Sequence, residues 1–408
     1  MKQIVFARID DRLIHGQVMT AWLKQCDANE VVIIDNELCK DTFVVMMMKS
    51  LIPSTISLKV FNDTDAAAYL KEDGKGEKIL ILVKTPQVIL TLLNNGVKLE
   101  YLNVGGMGMK AGRSKLYKNI AASDEEREVF RELRKMELMM GEDKTALLEE
   151  IGNMITDEVI ANNAAGKNTV WILPGGIGKV YDVFIRRVNE ERISLKNLYV
   201  FHVDQWLDWE YRLFPTTNLR FSMKGKMLQS FYAKIDPELN VPEDQRYFPD
   251  PADPDLIDNK IEELGGVDTI LGGVGCKGLI GWNERPISNV HHITLEQYAN
   301  SKTRAVHMTD ETIIAYAERE FGGCYEALPP NGITIGMKSM LTAKRAIFIV
   351  MTGSWKETVV RVAMFSEPTV EYPVTLFPKY VPQCIMCCDR KTADHVISRE
   401  YQDAPILR

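Results

Sequence analysis

The chain has 408 residues, of which 46% are hydrophobic and 26% charged, the ordinary balance of a globular protein. Its formal net charge of −7 at pH 7 argues against a nucleic-acid-binding protein, which usually carries a basic face. Because this length exceeds one typical hydrophobic core, two or three domains are expected.

The cysteines and the N-terminus indicate a compartment. Seven scattered cysteines, an odd number, favour reduced thiols over a disulfide framework. The opening MKQIVFARIDDR reaches charged side chains too early for a signal peptide, and no apolar run approaches the roughly 20 residues that span a bilayer. We therefore expect a cytoplasmic protein, for which any membrane association would come through a partner; the family resemblance given below implies that it is peripheral to the inner membrane through partner subunits.

The first third of the sequence alternates β-branched segments with helical patterns. The predicted strands are 3–7, 30–34, 57–61, 78–83 and 101–104. The helices predicted between them are at about 17–26, 40–50, 64–71 and 87–95. This alternation predicts an α/β domain with a mainly parallel sheet, helices on both faces and ligand-binding loops at the carboxyl ends of the strands. A charged helix at about 123–136 closes the region, and no strand is predicted directly after it.

A second α/β pattern begins near residue 136, with a boundary expected between 136 and 144. We therefore predict two consecutive domains, 1–137 and 138–408, the second Rossmann-like. Its predicted first helix spans 145–163. The predicted strands are 169–173, 197–202, 267–271, 332–335, 345–351 and 383–388.

A turn after the first strand concentrates charge around a histidine. It contains Arg8, Asp10, Asp11, Arg12 and His15. A neutral imidazole, with a pKa of about 6.5, can attack phosphorus, and guanidinium groups and helix N-terminal amides stabilise the transferred group. A neighbouring carboxylate can fix the imidazole tautomer. The alternative is a histidine at a helix start within a charged surface loop.

The complete segment favours the first interpretation. The strings ARIDDRLIHGQV at 7–18, LVKTP at 82–86 and LNVGGM at 102–107 resemble the IIB component of mannose-type sugar phosphotransferase systems. The similarity covers about residues 1–135. It implies that His15 accepts phosphate from a IIA protein and passes it to a sugar that the IIC and IID membrane subunits import.

The same resemblance assigns supporting roles around His15. Arg8, Asp10 and Arg12 match the supporting positions of the motif, and the loop of Gly105 and Gly106 is expected to approach the same pocket. Family members continue after the last charged helix into a further strand, which is not evident in this sequence.

Three segments of the second half have the features of a ligand site. A glycine loop with Gly175 and Gly176 follows a strand and ends in Lys179, so its amides can face a phosphate. The second segment, HVDQW at 202–206, places a carboxylate just beyond a strand. The third, at 272–284, contains G-x-G-x-x-G, which alone is a weak indication of a dinucleotide. Tight turns without a ligand are the alternative for each segment.

Together these segments resemble the glucosamine-6-phosphate deaminase/isomerase family over about residues 140–395. The resemblance implies that Lys356 and Arg319 hold a sugar phosphate with the glycine loop. It makes Asp204 the base that moves the C2 proton, and it places Glu284 in the carboxylate position of the ring-opening group.

The ring-opening group itself differs from the family pattern. Lys277 and Leu279 stand where the family has an aspartate and a histidine. Leucine cannot carry a proton, and the loss of a general acid or base costs about 10²–10⁴-fold in rate. Asp204 and Glu284 are retained, so enolisation of an open-chain sugar phosphate is still expected, and ordinary deamination less so.

These observations lead to one hypothesis with an alternative for the second half. We expect a IIB component fused to a sugar-phosphate isomerase or deaminase that acts on the imported product. The alternative is a non-catalytic sugar-phosphate sensor or docking domain. No cofactor or metal is expected, since the C-x-x-C at 384–387 lies in a predicted buried strand. Family analogy predicts a homo-oligomer.

Overall fold

The computed structural model describes residues 2–16, 18, 22–99, 102–117, 120–141, 143–286, 292–351 and 353–393. These residues form two compact units, one up to residue 134 and the other from 135 to 393. Each unit has its own parallel sheet and its own hydrophobic core.

The first unit follows the predicted alternation of strands and helices. Its strands are β1 (Gln3–Ile9), β2 (Glu30–Ile34), β3 (Ser57–Phe61), β4 (Lys78–Val83), β5 (Asn103–Val104), β6 (Ser114–Tyr117) and β7 (Ile120–Ala122). Its helices are α1 (Leu23–Gln25), α2 (Thr42–Ser50), α3 (Asp63–Lys71), α4 (Pro86–Asn94) and α5 (Asp124–Glu132). Residues 17, 19–21 and 101, which fall in a predicted helix and a predicted strand, lie outside the described residues.

Five of these strands form a parallel sheet in the order β3-β2-β4-β1-β5. The strands β2 (EVVII) and β4 (KILILV) are buried along nearly their whole length, because separate clusters of apolar side chains cover the two faces of the sheet. The predicted fold class of this half is confirmed. The loops after β1, β4 and β5 meet at the carboxyl edge, where a parallel sheet binds ligands.

The second unit has a larger set of elements. Its strands are β8 (Glu137–Gly141), β9 (Thr169–Leu173), β10 (Leu198–His202), β11 (Asp204–Leu207), β12 (Arg246–Tyr247), β13 (Thr269–Gly273), β14 (Arg304–His307), β15 (Asn331–Thr334), β16 (Arg345–Val350) and β17 (Gln383–Asp389). Its helices are α6 (Lys144–Ala164), α7 (Gly178–Glu190), α8 (Met223–Ser230), α9 (Asp255–Glu263), α10 (Leu295–Ala299), α11 (Asp310–Glu320), α12 (Met337–Met340), α13 (Glu357–Phe365), α14 (Phe377–Tyr380) and α15 (Arg390–Ala393).

Seven of these strands form a parallel sheet in the order β12-β10-β9-β13-β16-β17-β8. This confirms the predicted parallel sheet of the second half. The cysteines of the C-x-x-C segment lie in β17 and are buried, so they pack as small apolar side chains.

The strand β8 corrects the sequence prediction. No strand was expected after the charged helix at about 123–136, yet β8 follows α5 directly and pairs in parallel with β17, Met139 opposite Cys387. It was missed because an edge strand of five partly exposed residues has no strong apolar alternation. The polypeptide therefore enters the second sheet within a few residues of leaving α5.

A small antiparallel sheet in the order β11-β15-β14 completes the second unit. The chain leaves β10 at His202 and enters β11 at Asp204, where it pairs with Thr334 of β15. This change of sheet places Asp204 beyond the carboxyl end of the parallel sheet. No helix among the described residues is long and apolar enough to cross a membrane.

Candidate functional sites

The loop after β1 is organised by one buried carboxylate. Asp10 is fully buried and accepts hydrogen bonds from Arg8 at 2.7 and 3.0 Å and from the Arg12 side chain at 2.9 Å to each oxygen. Burial alone would raise the pKa of Asp10, but the bonds from Arg12 and Arg8 outweigh it and hold the pKa well below its usual range. Two fixed guanidinium groups around one carboxylate leave a net positive charge.

His15 lies beside this cluster. Its Nδ1 is 2.9 Å from the carbonyl oxygen of Leu13, so this nitrogen carries the proton and donates it. Its Nε2 is buried, lacks a hydrogen bond within the described residues and lies 3.7 Å from Asp10 Oδ2. Nε2 is thus without a hydrogen-bond partner among the described residues, and Nδ1 is bound to the Leu13 carbonyl.

The backbone of the same turn is strained. Leu13 has a φ of 52°, in the left-handed region that is unusual for a side chain of this type, and its side chain is buried. Such conformations persist where the surroundings fix them, often at functional sites. The strain directs the Leu13 carbonyl toward the imidazole.

The glycine loop after β5 packs directly on the arginines. A Cβ at Gly105 would lie 2.1 Å from the guanidinium carbon of Arg8, and one at Gly106 would lie 2.7 Å from Asp10 Oδ1. Only a residue without a side chain fits at either position. The structure thus brings together Arg8, Asp10, Arg12, His15 and both glycines, as the sequence analysis expected.

A second ion-pair cluster, which sequence reasoning missed, ties the glycine loop to the His15 turn. Asp11 Oδ2 accepts from the Gly108 amide at 3.0 Å and from Arg113 at 2.7 Å, and it pairs with Lys110 at 3.0 Å. Arg113 also donates to Glu126, the capping-box residue of α5, at 2.8 Å. No local motif marks Arg113, because its partners are 102 and 13 residues away.

The second unit contains a cavity of about 590 Å³ at the carboxyl ends of its central strands. Its lining includes the glycine loop 174–178, the segment 272–276 after β13, and side chains from α8 and α11. Gly175, Gly176, Lys179, Arg319 and Lys356 all line it, which brings the predicted phosphate-binding residues together.

Asp204 forms part of the cavity wall. Its side chain accepts no hydrogen bond from the described residues, and a Cβ at Gly281 would lie 3.6 Å from its Oδ2. Burial raises the pKa of Asp204 to about 7, although the Lys226 ammonium acts in the opposite direction. A carboxyl group that exchanges its proton near neutral pH suits a general base.

Lys356 and Arg319 flank one aromatic ring. The Lys356 ammonium lies 4.6 Å and the Arg319 guanidinium 5.1 Å from the centre of the Trp355 ring. Lys356 is 7% exposed, and burial, together with the charge of Arg319, lowers its pKa to about 8. A bound anion would restore the charged form of this lysine.

Of the three residues at the predicted ring-opening positions, two lie outside the cavity. Glu284 does not line the cavity; its carboxylate accepts from the Thr309 amide, at the N-terminus of α11, at 3.1 and 3.2 Å. Lys277 does not line the cavity either. Leu279 does, and it is buried in an apolar cluster with Trp206 and Trp282.

Different parts of the chain are similar to different known proteins. The model of the PTS system sorbose subfamily IIB component matches residues 4–162. The sorbose-specific EIIB component of Lacticaseibacillus casei is 34% identical over 134 residues, which cover 33% of this chain and 82% of that protein. The counterpart from Klebsiella pneumoniae is 33% identical over 135 residues, with the same two coverages.

One solved structure is similar to the larger part of the chain. A monomeric glucosamine-6-phosphate deaminase matches 63% of this chain and 99% of its own, with a TM-score of 0.52 and 20% identity. At this identity the likeness concerns the fold. The family match reaches residue 162, so it includes β8 and most of α6, which lie in the second unit.

Proposed function

The chain belongs, through residues 4–162, to the sorbose subfamily of IIB components of the sugar phosphotransferase system, and we propose from this that His15 carries a phosphoryl group from a IIA protein to a sugar. The observation that supports this most is the pair of guanidinium groups fixed by Asp10 beside His15. They provide positive charge for the phosphoryl group at a preorganised position, with Arg8 buried and Arg12 exposed.

Asp10 has a positioning role in this proposal. It lies 3.7 Å from His15 Nε2, which is too long for a hydrogen bond, so it acts on the ring through its charge and on the phosphoryl group through its two arginines. The Leu13 carbonyl fixes the resting tautomer. Release of that bond frees the imidazole for attack.

The test is phosphoryl transfer from a ³²P-labelled IIA protein of this family. Acid-labile label is expected on the wild type and on a His307→Ala control, since His307 is bonded to Asn331 in the second unit. His15→Ala should take up none. Full labelling of His15→Ala would disprove the assignment.

The partners follow from the same proposal. The protein receives phosphate from IIA and works with IIC and IID membrane subunits, so it is cytoplasmic and reaches the membrane through them. Homo-oligomers are expected by analogy. Co-purification with IIC and IID from membranes, and its loss when those subunits are deleted, is the measurement that checks this.

For the second unit we propose a sugar-phosphate isomerase or deaminase that acts on the imported product. Arg319, Lys356 and the glycine loop bind the phosphate, and Asp204 removes the C2 proton. The observation that supports this most is a carboxyl group with a pKa of about 7 in a cavity with several cations. Incubation with hexose and amino-sugar 6-phosphates in D₂O should remove the C2 proton signal, and Asp204→Asn should prevent the loss.

One observation favours a second function for this unit. Leu279 lines the cavity where a ring-opening group would act, so closed sugar rings receive no proton transfer from it. A sensor that binds sugar phosphate without turnover is consistent with this. Binding without C2 exchange for every sugar of the panel, including open-chain ketose phosphates, would establish the sensor and exclude the isomerase.

A further inference from the structure

The cavity of the second unit has more positive charge than one phosphate requires. Five of its cations form no ion pair with any carboxylate in the described part of the chain: Lys179, Arg220, Lys226, Arg319 and Lys356. The carboxylates in the lining are Asp204 and Glu320. With both ionised, three positive charges are in excess, whereas a phosphate dianion neutralises about two.

These cations come from different elements around the cavity. Arg319 and Lys356, the Trp355 pair, come from the end of α11 and the turn after β16, and they flank the Trp355 ring. Each of their charges acts on the other, since Arg319 helps to lower the pKa of Lys356. This pair is the phosphate end of the proposed site.

Arg220, from the turn before α8, and Lys226, within α8, are called here the α8 pair. The Ser222 hydroxyl caps this helix by accepting from the Gly225 amide at 3.0 Å, and the Lys224 amide donates to Gln205 at 3.1 Å. Because Gln205 follows Asp204 in β11, the helix is anchored beside the proposed base.

The same segment is fixed in two further ways. Met223 packs on the glycine loop, since a Cβ at Gly175 would lie 2.9 Å from its sulfur. The Arg220 guanidinium lies 4.2 Å from the centre of the Phe321 ring. Lys226 acts electrostatically on Asp204 and both side chains line the cavity, so Lys226 lies near the place where C1 and C2 of a sugar would lie in the proposed function.

We propose that the cavity binds a phosphorylated sugar acid, with its phosphate at the Trp355 pair and the glycine loop and its carboxylate at the α8 pair. This inference rests on the proposed sugar-phosphate site and specifies the ligand of its sensor function, because a ligand with a carboxylate at C1 has no C1 carbonyl that would make its C2 proton acidic enough for Asp204 to remove. A phosphate dianion and a carboxylate together carry about three negative charges, the number that the lining leaves in excess.

The carboxylate also fits the absence of ring-opening chemistry. An aldonic acid, in which C1 is the carboxyl carbon, has no aldehyde that could form a hemiacetal ring, so it needs no acid or base for ring opening. The apolar wall at Leu279 is then compatible with the ligand. Lys226 would bind the carboxylate directly and shield Asp204 from its charge.

Isothermal titration of the full-length protein tests this with two linear ligands of equal length, 6-phosphogluconate and glucitol 6-phosphate. They differ only in that the first has a carboxylate at C1. We expect 6-phosphogluconate to bind at least about tenfold more tightly, since a charge-assisted hydrogen bond contributes about 1.5–3 kcal/mol. Lys226→Met should remove this preference and leave the affinity for glucitol 6-phosphate within about twofold.

The matched control is Lys224→Met, because Lys224 lies two residues away on α8, near the Phe248 ring and outside the cavity lining. It should keep the preference, and thermal unfolding verifies that both variants are folded. Lys356→Met should weaken both ligands alike. Fructose 1,6-bisphosphate should bind less tightly than 6-phosphogluconate, and tighter binding would overturn the carboxylate assignment.

The outcomes separate the two levels of the proposal. Equal affinities for the two linear ligands, or a preference that survives in Lys226→Met, would overturn the sugar-acid inference and leave the sugar-phosphate site intact. If no phosphorylated ligand binds, the proposed function of this unit fails as well.

Discussion

At the scale of single residues, one carboxylate decides the charge of each site, in opposite ways. Asp10 is saturated by two guanidinium groups and stays ionised, whereas Asp204 accepts no hydrogen bond from the described residues and has a pKa of about 7. Each environment suits its proposed task. A fixed anion orients arginines, and a carboxyl group near its pKa can exchange a proton.

Arg113 is expected to be essential for the stability of the first unit. Arg113→Met leaves Glu126 without a cation among the described residues and leaves Asp11 with Lys110 alone, and both carboxylates are under 10% exposed. We expect a loss of about 3 kcal/mol in the free energy of unfolding, because a buried carboxylate without its cation is costly. Urea denaturation measures it. Arg131→Met, which removes an exposed pair with Glu128, should change stability by less than about 0.5 kcal/mol.

Asp204 should make the stability of the second unit depend on pH. Its pKa is about 7 in the folded protein and 3.8 ordinarily, so the folded state retains a proton that the unfolded state loses between these values. The contribution of this group to the free energy of unfolding is therefore fully present below pH 3.8 and is lost as the pH rises toward 7. Asp204→Asn should raise the melting temperature relative to wild type by an amount that grows over this range, and a constant difference would contradict the assignment.

At the scale of elements, the glycine loop after β5 depends on missing side chains. Gly105→Ala places a methyl group 2.1 Å from the Arg8 guanidinium carbon and must displace that group from Asp10. We expect His15 phosphorylation to slow by at least about tenfold, since loss of preorganised positive charge costs more than 1 kcal/mol. The measurement is the initial rate of labelling from phosphorylated IIA.

The control for this prediction lies in the same loop. Gly108→Ala meets no atom closer than 3.9 Å, so it should label at nearly the wild-type rate. Equal slowing in both variants would mean that the loop tolerates no side chain at all and that the contact with Arg8 is not the reason.

The sheet pairing of the edge strand β8 is a second feature at the scale of elements. The family match continues through it, yet it pairs with β17 in the seven-stranded sheet and not with a strand of the first sheet. It covers the edge of β17, whose backbone would otherwise be open to pairing with another chain. The segment 137–162 is thus matched by the family model of the first half in sequence, whereas its strand β8 is hydrogen-bonded within the second unit.

At the scale of the whole molecule, two sites with different chemistry lie in separate units. We expect the activities to be separable by single substitutions. His15→Ala should abolish phosphorylation and leave C2 proton exchange unchanged, and Asp204→Asn should do the reverse. Labelling and proton NMR on the same two preparations measure this. Loss of both activities in either variant, with unchanged thermal unfolding, would show that the two reactions depend on each other.

The sequence alone determined the α/β class of both halves and most of their strands. The strands 30–34, 78–83 and 169–173 agree with the structure because central parallel strands are continuous apolar runs with short, polar boundaries. It also located the candidate residues around His15 and Asp204, since motifs at strand ends are local in sequence.

Only the tertiary structure decided which residues surround those motifs. Arg113 meets Asp11 across 102 residues, Lys226 reaches Asp204 from another element, and Glu284 is bound to the start of α11 outside the cavity. None of these relations has a local spacing that a sequence could show. They depend on how strands and helices pack, and packing is set by contacts between distant parts of the chain.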